Sequence, residues 1–322
     1  MAEPVLQVEN LHLSFVQGTA RTPVVRGLSY TLQKGRILAV VGESGSGKTV
    51  QALSLLNLLP PGARVDEGRI VYEGKNLLTL KPSALRNIRG CKISMIFQDP
   101  SASLNPVLTV GQQLTETLHA HQQISKESAR QKAADLLSQV GIADAEKRLD
   151  EYPFQFSGGM CQRVMIAMAL ALTPAILIAD EPTTALDVTV QAQILKLLKT
   201  LQQKHRMSVI FITHNLAVAA QIADEVLVLY AGQCMEQSPA RSLFQTPLHP
   251  YTQGLLGSLA SVHTQTDRLP AIAGNPPRPG EVLPGCPFAP RCPHVMEKCR
   301  QACPPLFEKD GRRVRCWLQE GK

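Results

Sequence analysis

The sequence predicts an α/β fold: a largely parallel sheet covered by helices, with a helical insertion in the middle and a small Cys/Pro-rich extension at the end. Three observations carry this. Short apolar runs alternate with helical patterns on either side of residues 108–150, the arrangement that gives a helix-covered parallel sheet. The block 108–150 holds amphipathic helical patterns with no strand between them. Five of the 8 Cys lie at or after Cys286, and ten of the 23 Pro lie between Pro270 and Pro305. The tail from about Val262 is therefore a different material from the rest. With 322 residues, 44% hydrophobic and 18% charged, the chain can bury a sizeable core and is not mostly disordered. The expected division is one domain over 1–260, with a helical subdomain over about 100–172, and an extension over 261–322.

Each element follows from local pattern. Val5 to Phe15, Leu28 to Leu32 and Ile37 to Val41 are apolar runs bounded by turn residues and read as strands. A Gly-rich segment leads into a helix from Lys48 to Leu59. Gly68 to Tyr72 and Ile93 to Phe97 read as strands, then Val110 to Ala120 and Lys126 to Val140 as helices. From Ser157 the order is helix to about Leu172, strand Ile176 to Ala179, helix Val190 to His205 and strand Val209 to Thr213. A helix after His214, a strand Glu225 to Leu229, and helices Ala240–Phe244 and Tyr251–Leu259 complete the pattern. Gly274-Asn275-Pro276-Pro277 reads as a linker.

No stretch approaches the roughly 18 consecutive apolar residues of a membrane span, and Met1-Ala2-Glu3-Pro4 lacks the layout of a signal peptide. A cytosolic setting is expected, with cysteines free, metal-bound or redox-active rather than disulfide-bonded.

Gly42-Glu43-Ser44-Gly45-Ser46-Gly47-Lys48-Thr49 follows an apolar strand and precedes a helix. Its glycines let successive N–H groups point inward around a phosphate at a helix N-terminus. Lys48 supplies a point charge to the β- and γ-phosphates, and the Thr49 hydroxyl can ligate Mg²⁺. Ile176-Leu177-Ile178-Ala179-Asp180-Glu181 is a buried-type strand ending in two acids, at the end of the strand where open α/β sheets bind ligands. Asp180 is placed to hold Mg²⁺, and Glu181 to orient or deprotonate an attacking water. Ser157-Gly158-Gly159-Met160 opens a helix, with Ser157 as N-cap and the glycines leaving room for a phosphate.

Together these residues resemble the ATP-binding subunits of ABC transporters. The order is characteristic: Gly42–Thr49, Gln98 after a strand, Phe156-Ser157-Gly158-Gly159-Met160, Asp180-Glu181, Ala185-Leu186-Asp187 and His214. The resemblance covers roughly residues 5–260. Phe156 and Met160 depart from the usual LSGGQ signature but leave Ser157 and both glycines in place. The resemblance implies a RecA-like core with an antiparallel β subdomain and an inserted helical subdomain. It implies two ATPase domains facing head to tail, with ATP between the phosphate loop of one and the signature helix of the other. Phe15 then stacks on adenine, Gln98 touches Mg²⁺ or the attacking water, Asp187 crosses the interface and His214 contacts the γ-phosphate.

Several stretches resemble the peptide and nickel importer ATPases in particular: Gln98-Asp99-Pro100, Ser103-Leu104-Asn105-Pro106, the run from Asp180 to Thr189, and His249-Pro250-Tyr251-Thr252 before a Pro-rich tail. Those importers use an extracytoplasmic substrate-binding protein, two transmembrane permease subunits and usually two different ATPase chains, which places this chain on the cytoplasmic face of the inner membrane. Other classes stay open: a nickel or metallophore importer subunit, a soluble ABC ATPase acting on a macromolecule, or a regulatory partner with a redox-sensing metal centre.

The tail cysteines follow C-x5-C-x6-C-x3-C-x12-C from Cys286 to Cys316, without the close pairs of common zinc ribbons. Some peptide-importer ATPases carry an iron–sulfur cluster at matching cysteines. The resemblance thus suggests Cys286, Cys292, Cys299 and Cys316 as ligands to a [4Fe–4S] centre, with Cys303 spare; Zn²⁺ and free thiols are the alternatives. Cys91, Cys161 and Cys234 read as small buried core residues. With a net charge of +7, the tail's Arg291, Lys298, Arg300, Arg312, Arg313 and Arg315 suit either an acidic or headgroup partner or a solvated face. Few aromatics accompany them, which argues against nucleic acid.

Overall fold

The computed structural model describes residues 3–184, 186–260, 272–278 and 280–321; Ala185 and the expected start of the tail near Val262 lie outside them. The chain forms two compact units, Met1–Thr79 with Phe211–Lys322, and Leu80–Ile210. The first opens with β1 (Pro4–Gln17), β2 (Ala20–Gln33), β3 (Ile37–Val41), α1 (Lys48–Leu55), β4 (Ala63–Tyr72) and β5 (Lys75–Asn76). The second holds α2 (Pro82–Ile88), β6 (Ile93–Ile96), α3 (Pro100–Ser103), α4 (Val110–His119), α5 (Lys126–Gln139), α6 (Ala145–Arg148), α7 (Gly158–Leu170), β7 (Ile176–Asp180) and α8 (Val188–His205). Strand β8 (Ser208–Thr213) runs across the boundary. The first unit resumes with α9 (Leu216–Ile222), β9 (Glu225–Tyr230), β10 (Gln233–Pro239), α10 (Ala240–Gln245), α11 (Pro250–Ala260), α12 (Glu297–Gln301), β11 (Phe307–Lys309) and β12 (Arg312–Val314).

In the first unit, one sheet is antiparallel in the order β2-β1-β4-β5. A second runs β11-β12-β10-β9-β3, with β3 and β9 parallel and the remaining pairs antiparallel. In the second unit β6 and β7 pair in parallel. Every residue of β3, β7 and β8 is buried, as unbroken apolar runs require when helices cover both faces of a sheet. The inserted helices begin where side chains supply the missing acceptors: Thr109 and Gln112 form a reciprocal capping box for α4, and Ser125 caps α5.

Two features differ from expectation. Strand β10 carries no strand-like apolar pattern, yet Glu236, Gln237 and Ser238 are all buried. Their polar groups are satisfied by partners from distant segments, so burial here is polar and leaves no hydrophobic signature. The tail also contributes regular structure. The β11–β12 hairpin turns through Asp310 and Gly311, both at positive φ (50° and 70°), as a two-residue primed turn demands.

Candidate functional site

In the first unit, the Gly42–Thr49 loop links β3 to α1. Gly47 sits at φ 96° immediately before the helix, where a Cβ would press on Val24 O and Val25 Cγ2 at 3.1 Å. A Cβ on Gly42 would strike Leu229 O, so both glycines are required by close approach as well as by conformation. Lys48 is buried and its Nζ donates to Gly42 O (2.9 Å) and Glu43 O (3.0 Å). The Ser46 hydroxyl is buried with no hydrogen-bond partner among the described residues. An unpaired buried hydroxyl costs about 1–3 kcal/mol, and a phosphate oxygen in the loop would satisfy it. The donor set therefore fits a nucleotide phosphate. Ser44, Gly45 and Thr49 are exposed. Phe15 lies half-buried on β1, paired with Thr22 and Ala63. His214 follows β8 directly, exposed, and Asn215 beside it caps α9.

In the second unit, Asp180 closes β7 and is 2% exposed. Glu181 follows at a φ of 45°, a conformation that costs a non-glycine residue energy and often marks a functional site. Gln98 Nε2 donates to Glu181 Oε2 (3.1 Å), and Thr184 Oγ1 donates to the same oxygen (2.9 Å). The structure thus brings Gln98 and Glu181 together. Thr184 is a member of this group that the motif reading missed, although it lies in the quoted run from Asp180 to Thr189.

The signature helix begins as expected. Ser157 Oγ accepts from Met160 N (3.3 Å), Ser157 and Gly158 are exposed, and a Cβ on Gly158 would meet nothing within 4 Å. The N-terminus of α7 is open to an anion. Gly159 lies against Val190 of α8, where a Cβ would meet Val190 Cγ1 at 2.8 Å. Asp187 caps α8, its Oδ1 accepting from Thr189 N (3.0 Å) and Val190 N (2.9 Å). The second unit therefore places the signature and Asp187 at two adjoining helix starts.

The tail packs on the phosphate loop within the first unit. Arg291 Nη1 donates to both Glu43 carboxylate oxygens (3.0 and 2.9 Å) and to Tyr230 Oη (3.1 Å). Glu43 N–H donates to Tyr251 Oη (3.2 Å). Sequence reading noted Arg291 only as a surface cation and Tyr251 only as part of a family motif; nothing local in the chain signals that they meet the loop.

Cys286, Cys292, Cys299 and Cys316 line one apolar cavity with His249, Phe288 and Trp317. Cys286 N–H donates to Cys299 O (2.8 Å), tying two of the four segments together. Burial pushes the Cys286 thiol up to about 12 and raises Cys292 and Cys316. Among the described residues no group of three or more His, Cys, Asp or Glu side chains is arranged to hold a metal ion. Thiols spaced around a common cavity have the donor chemistry of a multi-iron cluster, though the space between them, about 10 Å³, is that of one water-sized guest. Of the other cysteines, Cys161 and Cys234 are buried as expected, whereas Cys91 is only half-buried.

The tail's charges depart from the sequence reading. Arg291 and Arg312 are turned inward and paired, Arg312 Nη2 with Glu236 Oε1 at 2.8 Å. Arg313 and Arg315 are half-buried and donate to Gln237 and to the carbonyls of Ser29, Cys234 and Pro304. Of the six cations named from the sequence, Lys298, paired with Glu320, and Arg300 are exposed. These arginines fasten the tail to the first unit instead of forming one basic face.

Comparisons with known proteins agree with this arrangement. Residues 25–184 match the family model described as ABC transporter, and residues 235–299 match that described as oligopeptide/dipeptide transporter, C-terminal region. The chain is 52% identical over 320 residues to the dipeptide transport ATP-binding protein DppD of Bacillus subtilis, covering 99% of this chain and 96% of that one. It is 48% identical to the oligopeptide transport ATP-binding protein AppD of the same organism, covering 98% and 97%. Among solved structures, a dimeric ATP-binding cassette in a post-hydrolysis state bound to ADP and Pi aligns with a TM-score of 0.64 at 27% identity, over 73% of this chain and 99% of that chain. The cbiO1 subunit of a Clostridium perfringens ABC transporter complex shares the fold, with a TM-score of 0.66 at 23% identity over 81% and 96%. No described helix is long and apolar enough to cross a membrane. The chain belongs to the ABC transporter ATPases that bind ATP with Mg²⁺, in the branch of the dipeptide and oligopeptide transport ATP-binding proteins.

Proposed function

We propose that the chain is the ATP-hydrolysing subunit of an importer for peptides or related small solutes. It works on the cytoplasmic face of the membrane with a second ATPase subunit, a paralogue of this one, two transmembrane permease subunits and, indirectly, an extracytoplasmic substrate-binding protein. The observation that carries this is the near full-length similarity to dipeptide and oligopeptide transport ATP-binding proteins, which extends through the C-terminal region beyond the ATPase motifs. The cassette is read as 1–260, with its helical part over about 100–172 and the extension over 261–322.

The roles follow residue by residue. Gly42, Glu43, Ser44, Gly45, Ser46, Gly47 and Lys48 form the phosphate loop, which would hold the phosphates through its backbone N–H groups and the Lys48 charge, with the Glu43 N–H engaged by Tyr251 Oη. Thr49, Gln98 and Asp180 hold Mg²⁺, Glu181 and His214 act on the attacking water and the γ-phosphate, and Phe15 stacks on adenine. Ser157, Gly158, Gly159 and Asp187 serve a nucleotide shared with the partner ATPase. The physics is positioning and charge neutralisation. Glu181→Gln is expected to keep ATP binding and lose steady-state hydrolysis, measured by nucleotide binding and phosphate release; turnover at the wild-type rate would remove Glu181 from its role.

For the tail, the reading is a [4Fe–4S] cluster on Cys286, Cys292, Cys299 and Cys316, drawn from the family resemblance; the four thiols line one cavity, which would have to widen to admit the cluster. When bound, such a cluster would tie together the segments that carry the four cysteines. Anaerobically purified protein is expected to absorb near 400 nm and to contain iron and sulfide in equal amounts. Colourless protein free of iron contradicts the assignment.

A further inference from the structure

The phosphate loop contains an acid, and a carboxylate is an awkward neighbour for a triphosphate. Glu43 follows Gly42, the first loop residue, and its side chain is one-quarter exposed. Its charge is paired within the protein. The Arg291 guanidinium, 6% exposed, contacts both of its oxygens. Arg291 is itself held on every side: Nε donates to Ala273 O (3.1 Å), Nη2 to Ile272 O (3.3 Å), Nη1 to Tyr230 Oη, and its guanidinium lies over the Tyr230 ring (5.7 Å to the centroid). Tyr251 secures the same loop residue from its backbone, accepting from Glu43 N–H. A buried, multiply bonded arginine against a single carboxylate fixes that carboxylate in place and cancels its charge.

We infer that Arg291, from the C-terminal tail, is a positioning residue for nucleotide binding: it pins and neutralises Glu43 so that the phosphate loop receives the triphosphate without an opposing charge. The inference rests on the reading of Gly42–Thr49 as the ATP site. It gives the tail a part in ATP binding, because a residue 248 positions away in sequence sets the electrostatics of the loop. Arg291 touches no nucleotide in this scheme; it acts through Glu43.

A double-mutant cycle in the full-length protein tests it. MgATP affinity is measured by equilibrium binding, and KM and kcat by phosphate release. Arg291→Gln is expected to weaken MgATP binding roughly three- to thirty-fold, the range for one uncompensated charge near a polyanion at effective dielectric constants between those of water and of a protein surface. KM rises with it while kcat stays within about twofold, and Arg291→Lys recovers most of the loss. Glu43→Gln, with Arg291 left in place, is expected to tighten binding. The double variant Glu43→Gln/Arg291→Gln returns affinity close to that of the wild type. Wild-type affinity in Arg291→Gln overturns the inference, as does a double variant as weak as Arg291→Gln alone, since the loss then comes from the tail's fold and not from the Glu43 charge. Should Arg291→Gln not fold, Glu43→Gln alone decides, and unchanged affinity overturns the inference. Lys48→Ala separates the two readings: if it binds MgATP as tightly as the wild type, the phosphate-loop reading itself fails.

Discussion

Glu181 holds its carboxylate by two donors while its backbone sits in the left-handed region. Of the two, Gln98 is exposed and Thr184 half-buried, so Thr184 is the steadier support. Thr184→Val keeps shape and removes the donor. It is expected to lower kcat about tenfold with KM unchanged, the loss of one hydrogen bond to a charged group that matters in the transition state; steady-state phosphate release checks this. At this scale the motif residues were legible because their spacing is chemical. Gly47 must adopt positive φ, Lys48 must reach back over the loop, and two acids must end a buried strand. Arg291 was not legible as a partner of Glu43, because a hydrogen bond between residues 248 positions apart leaves no local trace; Thr184, three residues from Glu181, lay within the motif run but its role depends on the turn that brings its hydroxyl back to the carboxylate.

Among the elements, β10 and β12 show where pattern reading stops. Glu236 is fully buried on β10 and accepts from Arg312 Nη2 (2.8 Å), Leu248 N (3.1 Å) and His249 N (2.9 Å). A strand buried through a charge pair has no apolar alternation, so Gln233–Pro239 escaped notice, and Arg312 passed for a surface cation. The Asp310-Gly311 turn was a usable signal for the β11–β12 hairpin. Breaking a buried pair by removing one partner costs about 3–5 kcal/mol, because the other charge stays behind uncompensated. Arg312→Ala is accordingly expected to lower the thermal unfolding midpoint sharply, while Arg300→Ala, on an exposed side chain, is expected to leave it nearly unchanged. Calorimetry on the two variants distinguishes an arginine that fastens the tail from one that only solvates it.

For the molecule as a whole, the α/β class and the helical insertion were readable from alternating periodicities, and ABC membership from the order of Gly42–Thr49, Ser157-Gly158-Gly159, Asp180-Glu181 and His214. The tail's composition marked it as distinct, but its attachment through Arg291, Arg312 and Arg315 is a matter of three-dimensional partners. In the proposed arrangement the ATPase does not meet the transported solute, so the solute leaves no imprint on these residues. On the proposed reading this chain converts ATP hydrolysis into solute import. The most direct test is uptake of labelled di- and oligopeptides by proteoliposomes holding this chain with its permease subunits, partner ATPase and binding protein. ATP-dependent uptake that disappears when this chain carries Glu181→Gln is the predicted result. Uptake that persists at the wild-type rate with Glu181→Gln, or vigorous ATP hydrolysis with no uptake of any peptide, would rule out this role for the chain.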